Sequence, residues 1–231
     1  MKVVVIGNSH IEAFRRAVPP DNEDYRLCNL QTDQPDLCPS GEVSEAILAR
    51  FDPSAHFVSM LGGNRHNVFG MIEQPVHFDV CGPRLGLLED TRERQLIPYW
   101  LLREEFERAA RTLFLDPLRT FSEYFRGKSV HVCSPPPISS AEHIAAHPGI
   151  FRKSLRLGIA PAELRKKLYD INSAVFRDFC QEQKILFLQP PMAAQDGGGY
   201  LREEYWSKDS THGNPAYGKL VFHQLEQLLG D

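Results

Sequence analysis

The apolar residues of this 231-residue chain fall into two patterns, short continuous runs and longer stretches with helical spacing. Five of the short runs are typical of strands in a parallel sheet, where both faces of each strand are buried. The first, Val-Val-Val-Ile, is the clearest, and the second is the weakest. The five predicted strands are residues 3–6, 25–30, 56–61, 128–134 and 185–188.

Helical spacing separates these strands. A stripe at i, i+4, i+7 and i+11 predicts a long helix that begins near Pro98, with Leu102, Phe106, Ala109 and Leu113 on its buried side. A second stripe, Leu164, Leu168, Ile171 and Val175, predicts a helix over residues 161–181. Shorter helices are expected at 11–18, 41–51 and 214–229. Residues 65–97 form a long, irregular connection, and a connection of this length is usually functional or carries small elements that the sequence does not resolve.

The alternation of strand and helix predicts an α/β fold with a five-stranded, mostly parallel sheet. The chain contains 42% hydrophobic and 24% charged residues, and no Gly/Ser linker or block of charge divides it. We therefore expect a single domain over residues 1–231.

The composition argues against several classes of function. A net charge of −4 argues against a nucleic-acid partner, and no apolar run is long enough for membrane insertion. Five dispersed cysteines without a Cys-x-x-Cys pair are typical of a reduced, cytoplasmic protein. The histidines have no metal-ligand spacing, and no dinucleotide fingerprint is present. The sequence thus predicts neither a metal nor a cofactor.

Three segments that contain candidate catalytic residues follow the carboxyl ends of predicted strands. In parallel α/β sheets, ligands bind at these ends. Gly7-Asn8-Ser9 follows the first strand and Gly62-Gly63-Asn64 follows the third, while Asp209 and His212 come after the fifth. Taken singly, each segment has an ordinary explanation. Ser9 suits a helix N-cap, and the other two segments suit turns.

Together, the three segments supply a nucleophile, a base, a residue to orient the base and an amide donor for an oxyanion. In identity and order they resemble the SGNH hydrolases, also called GDSL-type esterases and lipases. The resemblance implies that Ser9 is the nucleophile and that Asp209 and His212 complete a catalytic triad. It places Asn64 and the Ser9 N–H in the oxyanion hole and aligns Gly62 with the glycine of the family's Gly-x-Asn pattern. It also implies a flavodoxin-like, three-layer α/β/α sandwich.

Further residues are assigned around this pattern. Gly62, Gly63 and His66 are predicted to contact the substrate, since they surround Asn64 in the sequence. The second sequence block of the family normally provides a glycine N–H to the oxyanion, and Gly41 is the candidate for it. The chain departs from the common Gly-Asp-Ser motif at Asn8, which marks a divergent branch.

The expected function is a serine esterase that hydrolyses a small or short-chain acyl ester, such as an O-acetyl group on a carbohydrate, through an acyl-enzyme. The expected partner is therefore a small-molecule ester. Two alternatives remain open on the sequence alone. An acyltransferase would use the same site with a hydroxyl acceptor, and a binding module would keep the fold without the chemistry.

Overall fold

A computed structural model describes residues 2–33, 41–83, 85–89 and 93–230. Five parallel strands form the central sheet in the order β2-β1-β3-β6-β7, and β4 and β5 form a separate parallel pair. The strands are β1 Val3–Gly7, β2 Tyr25–Asn29, β3 His56–Met60, β4 Phe78–Cys81, β5 Gln95–Pro98, β6 Ser129–Val132 and β7 Leu186–Leu188. This order places the topological switch point between β1 and β3.

Helices cover both faces of the sheet. They are α1 Ile11–Arg15, α2 Glu45–Leu48, α3 Arg65–Gly70, α4 Tyr99–Ala110, α5 Asp116–Tyr124, α6 Ala141–Ala146, α7 Ala162–Glu182 and α8 Pro215–Gly230. Short 3₁₀ segments lie at Gly149–Leu157, Met192–Ala194 and Glu203–Tyr205, and a π-helical turn lies at Arg111–Leu115. The predicted three-layer α/β/α sandwich is confirmed.

Alternate residues of each strand pack into two hydrophobic cores, one on each face of the sheet, because successive side chains of a strand point to opposite faces. Val4, Ile6 and Phe57 pack with apolar residues of α4, α5 and α7 on one face. Val5 and Val58 pack on the other face with α1 and α8. The five predicted strands are thereby confirmed, with ends that differ by at most two residues.

The small elements within the 65–97 connection are α3, β4 and all but the last residue of β5. Two predictions about local structure were wrong. Within 41–51 only Glu45–Leu48 is helical, and the first helix ends at Arg15 rather than Val18. The α2 segment buries no residue in full, so little packing holds a longer helix there.

The predicted buried stripe of the long helix is correct only in its first half. Leu102 and Phe106 are buried, whereas Leu113 is 52% exposed. The π-helical turn at Arg111–Leu115 widens the helix locally and rotates the following residues, so Leu115 takes the inward position instead. The stripe of α7 has no such interruption, and its four predicted residues are buried as expected.

Helices α1 and α8 approach each other closely at Gly218. A Cβ atom at this position would lie 2.0 Å from the carbonyl oxygen of Ala13 in α1. Only glycine allows the two backbones to come this near. Because Ser9 precedes α1 and His212 precedes α8, this contact also fixes the two ends of the chain that carry the candidate chemistry.

His131 lies in the interior of the central sheet, on β6. Its ring is stacked on Phe176 with a centroid separation of 5.0 Å, and its Nδ1 lies 3.2 Å from the Ser59 hydroxyl. Burial lowers the pKa of His131 from 6.5 to about 3. The native state therefore keeps this ring neutral at pH values where the unfolded chain takes up a proton.

The free energy of unfolding should consequently fall as the pH drops through 6.5, by about 2 kcal/mol at pH 5 for His131 alone. Replacing His131 by Phe removes this proton uptake and keeps an aromatic ring in the stack. We expect the loss of stability between pH 7.5 and pH 5, measured by urea unfolding, to be about 2 kcal/mol smaller in the variant. The exposed His223→Phe is the control, and equal losses in all three proteins would contradict the assignment.

Within the described ranges, no helix combines the length and apolar character that crossing a bilayer requires. The four described cysteines, Cys28, Cys81, Cys133 and Cys180, are free thiols, and Cys38 lies outside the described residues. The cytoplasmic location and the lack of a nucleic-acid partner stay predictions.

Candidate active site

Ser9 lies in a tight turn between β1 and α1. The turn begins at Gly7, where a Cβ atom would lie 2.6 Å from the Cβ of Met60 on the neighbouring strand. The residue at the N-cap of α1 is His10, so Ser9 does not cap the helix as the ordinary explanation proposed. Its hydroxyl oxygen instead lies 2.8 Å from Nε2 of His212. The turn thus presents the Ser9 hydroxyl at the carboxyl end of β1.

Asp209 and His212 share one local turn ahead of α8. A single carboxylate oxygen, Oδ1 of Asp209, accepts hydrogen bonds from the backbone N–H groups of Thr211 at 2.7 Å and His212 at 2.9 Å. The same oxygen lies 2.9 Å from Nδ1 of His212. The turn expected for this segment is therefore present, and it also orients the imidazole of His212.

The two contacts of His212 define its tautomer. A carboxylate only accepts hydrogen bonds, so Nδ1 carries the proton toward Asp209 and Nε2 faces the Ser9 hydroxyl as an acceptor. Burial alone would raise the pKa of Asp209. The hydrogen bonds from His212 and Thr211 outweigh that effect and hold the pKa of this carboxyl well below its ordinary value of 3.8. Asp209 is thus ionised throughout the neutral range.

A second imidazole lies beside the first. The ring of His10 packs against that of His212 with centroids 4.7 Å apart, and its Nδ1 is buried without a partner among the described residues. Burial, reinforced by the neighbouring His212 and His66 and opposed by Asp209, lowers the pKa of His10 from 6.5 to about 3. His10 is therefore neutral above about pH 3, and in that range it adds no competing positive charge.

The segment after β3 contains the candidate oxyanion amide. Asn64 is exposed directly before α3, and its Oδ1 accepts a hydrogen bond from Nδ2 of the buried Asn67 at 2.6 Å. With the oxygen occupied, the amide nitrogen of Asn64 is the group left to donate to a ligand. Gly62 lines the same cavity as Ser9, whereas a Cβ atom on Gly63 would lie 3.3 Å from the ring of Phe114. The roles of Asn64 and these glycines stay predictions.

Gly41 and His66 contact residues outside the hydrogen-bonded chain of Ser9, His212 and Asp209. Gly41 has a φ of +83°, and a Cβ atom there would lie 2.0 Å from the carbonyl oxygen of Thr112 in the π-helical turn. His66 is 5% exposed and its ring meets Tyr169 edge-on at 5.8 Å. Neither residue lines the cavity that contains Ser9. Their predicted roles, as oxyanion donor and substrate contact, stay predictions.

His143 braces the loop that carries Asp209, a role that no local pattern in the sequence indicates. Its Nε2 lies 3.0 Å from the carbonyl oxygen of Ser207 and 3.3 Å from that of Asp209. Since carbonyl oxygens only accept, this nitrogen carries a proton. The ring of Trp206 packs on the imidazole at 4.8 Å. Trp206 is therefore a packed aromatic residue that helps to hold the loop.

A cavity of about 290 Å³ adjoins the hydrogen-bonded residues. Its wall includes Ser9, Asp209 and His212 together with residues of α1, α8 and the carboxyl ends of β3 and β6. Cys133 contributes to the wall, but its thiol is paired with the hydroxyls of Tyr169 at 3.4 Å and Ser173 at 3.5 Å. Among the described residues, no group of three or more histidines, cysteines or carboxylates is arranged to hold a metal ion.

Comparison with solved structures supports the fold. A candidate platelet-activating-factor protein from Streptococcus pneumonia is 12% identical over 99% of this chain and 83% of its own, with a TM-score of 0.52. The chain shares that protein's fold. No family model and no curated protein sequence matches the chain.

Two further structures are similar over almost the whole chain. A GDSL-like lipase from Bacteroides thetaiotaomicron VPI-5482 is 17% identical and has a TM-score of 0.48, with 99% of this chain and 87% of the lipase covered. A catalytic mutant of an acetylxylan esterase from Geobacillus stearothermophilus is 11% identical and has a TM-score of 0.49, with 99% and 94% covered.

Proposed function

We propose that this protein is a serine esterase that hydrolyses small acyl esters through a Ser9–His212–Asp209 triad. One observation carries the proposal. A continuous chain of hydrogen bonds, 2.9 Å from Asp209 to His212 and 2.8 Å from His212 to Ser9, joins residues from opposite ends of the sequence. A side-chain hydroxyl paired with an imidazole that is itself oriented by a carboxylate is the arrangement that activates serine.

In the acylation step, the Ser9 oxygen forms a bond to the carbonyl carbon of the ester while its proton passes to Nε2 of His212. The negative charge that develops on the carbonyl oxygen is stabilised by the Ser9 N–H and the Asn64 amide, with Gly41 as a further candidate donor. When the tetrahedral intermediate collapses, the carbon–oxygen bond to the alcohol breaks. His212 returns the proton to the departing alkoxide, and the acyl group remains on Ser9.

In the deacylation step, water takes the place of the alcohol. His212 accepts a proton from the water as its oxygen attacks the acyl carbon, and it then donates this proton to the Ser9 oxygen as the ester bond breaks. The carboxylic acid is released and the hydroxyl of Ser9 is restored. Asp209 stays ionised through both steps and stabilises the imidazolium form of His212.

A serine-directed fluorophosphonate tests the proposal, because it reacts only with an activated hydroxyl. We expect stoichiometric labelling of the wild-type protein, with the label on Ser9 in the peptide map, and turnover of p-nitrophenyl acetate by the unlabelled protein. Ser9→Ala should take up no label. Ser134→Ala is the matched control, because Ser134 also lines the cavity but has no imidazole partner among the described residues.

The outcome separates an enzyme from a binding module on the same fold. Labelling at Ser9 without turnover of any ester would indicate that water does not reach the acyl-enzyme. A wild-type protein that neither takes up the label nor turns over p-nitrophenyl acetate would contradict the esterase proposal.

A further inference from the structure

The loop at residues 206–213 carries Asp209 and His212, and its own hydrogen bonds are local in sequence. Oδ1 of Asp209 lies 2.9 Å from Nδ1 of His212. The backbone N–H of Ser207 donates to the carbonyl oxygen of His212 at 3.2 Å. These bonds fix Asp209 relative to His212. They do not fix the pair relative to Ser9, which lies near the other end of the chain.

The position of the loop relative to Ser9 depends on bonds from elsewhere in the molecule. In the described part of the chain, two side chains from distant parts of the sequence make hydrogen bonds to the loop. One is the hydroxyl of Ser9 itself, 2.8 Å from Nε2 of His212. The other is the imidazole of His143. Its Nε2 lies 3.0 Å from the carbonyl oxygen of Ser207 and 3.3 Å from that of Asp209.

His143 is itself held in place by its surroundings. It belongs to α6, where the hydroxyl of Ser140 caps the helix and accepts a hydrogen bond from the backbone N–H of His143 at 3.1 Å. Ile144 on the same helix is fully buried and packs in a small core with Phe151. The ring of His143 packs against that of Trp206 at 4.8 Å. Helix α6 is therefore an anchor to which the loop is attached.

We propose that His143 is a positioning residue of the reaction, whose Nε2–H holds the loop so that the Asp209–His212 pair stays within hydrogen-bonding distance of Ser9. The inference rests on the proposed esterase function and adds a residue to it. His143 does not line the cavity that contains Ser9, which agrees with an action through the loop. Since the Ser9 proton crosses a 2.8 Å contact, a misplacement of about 1 Å is enough to lower the rate about 100-fold.

Two substitutions at position 143 separate the hydrogen bond from the packing. His143→Phe keeps an aromatic ring beside Trp206 but has no donor. His143→Gln loses the ring but can place an amide N–H where Nε2 lies. We expect kcat for p-nitrophenyl acetate to fall about 10- to 100-fold in His143→Phe, with KM nearly unchanged because His143 does not touch the substrate. In His143→Gln, kcat should stay within about threefold of the wild-type value.

The rate constant of fluorophosphonate labelling gives a readout that a purely structural role would not change. A folding defect lowers the fraction of protein that takes up the label. Misplacement of His212 instead slows the labelling itself, because His212 must take the proton of Ser9. We expect the rate constant to fall in His143→Phe by about the same factor as kcat. An unchanged rate constant in folded His143→Phe would overturn the inference, as would a loss of kcat in His143→Gln as large as that in His143→Phe.

His147→Phe is the matched control. His147 is the C-cap residue of α6 and its ring lies 4.7 Å from that of His143, but its imidazole makes no hydrogen bond to the loop within the described ranges. We expect kcat and the labelling rate constant of this variant to match those of the wild type. Equal losses in His147→Phe and His143→Phe would assign the effect to the packing of α6 and overturn the inference.

A second pair of variants decides the question if His143→Phe does not fold. His143→Met and His143→Gln introduce unbranched side chains of similar size, and only Gln has a donor. A folded His143→Met with wild-type kcat would overturn the positioning role while leaving the esterase proposal intact. A wild-type protein that takes up no label at Ser9 would instead overturn the proposed function itself, so the two failures are distinguishable.

Discussion

Replacing His212 by Ala should lower kcat for p-nitrophenyl acetate by about 10⁶-fold and leave KM nearly unchanged. Without the imidazole, no group lies 2.8 Å from the Ser9 oxygen to take its proton, so the hydroxyl is no longer a competent nucleophile. Ser9→Ala should cause a loss of the same size. The double variant should be no worse than either single one, because the two residues act as one unit.

The exposed His223 on α8 provides the control for this comparison. His223→Ala removes an imidazole from the helix that follows the loop with Asp209 and His212, without touching the hydrogen-bonded chain, and we expect its kcat to match that of the wild type. Circular dichroism and melting temperature should show that all the variants are folded. Multiplicative losses in the double variant would show that Ser9 and His212 do not work together.

Replacing Asp209 by Asn should lower kcat by about 10⁴-fold while the fold persists. The amide introduced at this position is similar in shape to the carboxylate but offers both a donor and an acceptor. It can therefore stabilise the tautomer of His212 that carries its proton on Nε2, which cannot accept the proton of Ser9. The variant also loses the negative charge that balances the imidazolium during both chemical steps.

Asp52→Asn is the control, because Asp52 forms a comparable turn with Ser54 ahead of β3, at the amino ends of the strands. Its kcat should equal that of the wild type. The pH dependence of stability adds a second measurement. Since the pKa of Asp209 is lowered on folding, its stabilising contribution is present above about pH 3.8 and is lost as the pH falls further. This loss should be absent from Asp209→Asn.

The strands and the long helices were predictable because burial on a parallel sheet and on a helix face leaves a strong periodic pattern. The four inward residues of α7 show this directly. The error at Leu113 has a specific cause. A π-helical turn inserts one residue into the helical repeat two residues before Pro117, and the apolar spacing alone does not reveal this insertion.

The connection at 65–97 shows a second limit. The strand pair β4 and β5 is held by contacts between residues distant in sequence, among them the buried carboxylate of Asp79, which lies 2.6 Å from the ammonium group of Lys167 on α7. Such a contact depends on tertiary structure, and neither residue alone indicates it. Short strands without alternating hydrophobicity therefore remain hidden in the sequence.

For the candidate site, the sequence was most informative where a residue type suited to catalysis follows the carboxyl end of a predicted strand. Ser9, Asp209 and His212 each follow a strand, and the structure brings them into one hydrogen-bonded chain. The supporting residues were not recognisable in the same way. His143 acts through backbone carbonyls of a distant loop, and its own sequence neighbourhood does not indicate this role.

The contact of Gly218 with Ala13 also has a consequence for substitutions at a position that carries no side chain. Because the two backbones touch there, any side chain at position 218 would push α8 away from α1. The segments that lead into these two helices contain Ser9 and His212, so we expect the 2.8 Å contact between the Ser9 oxygen and Nε2 of His212 to lengthen as well. A single added methyl group would thus act on the proposed proton transfer from a distance, through the separation of two helices.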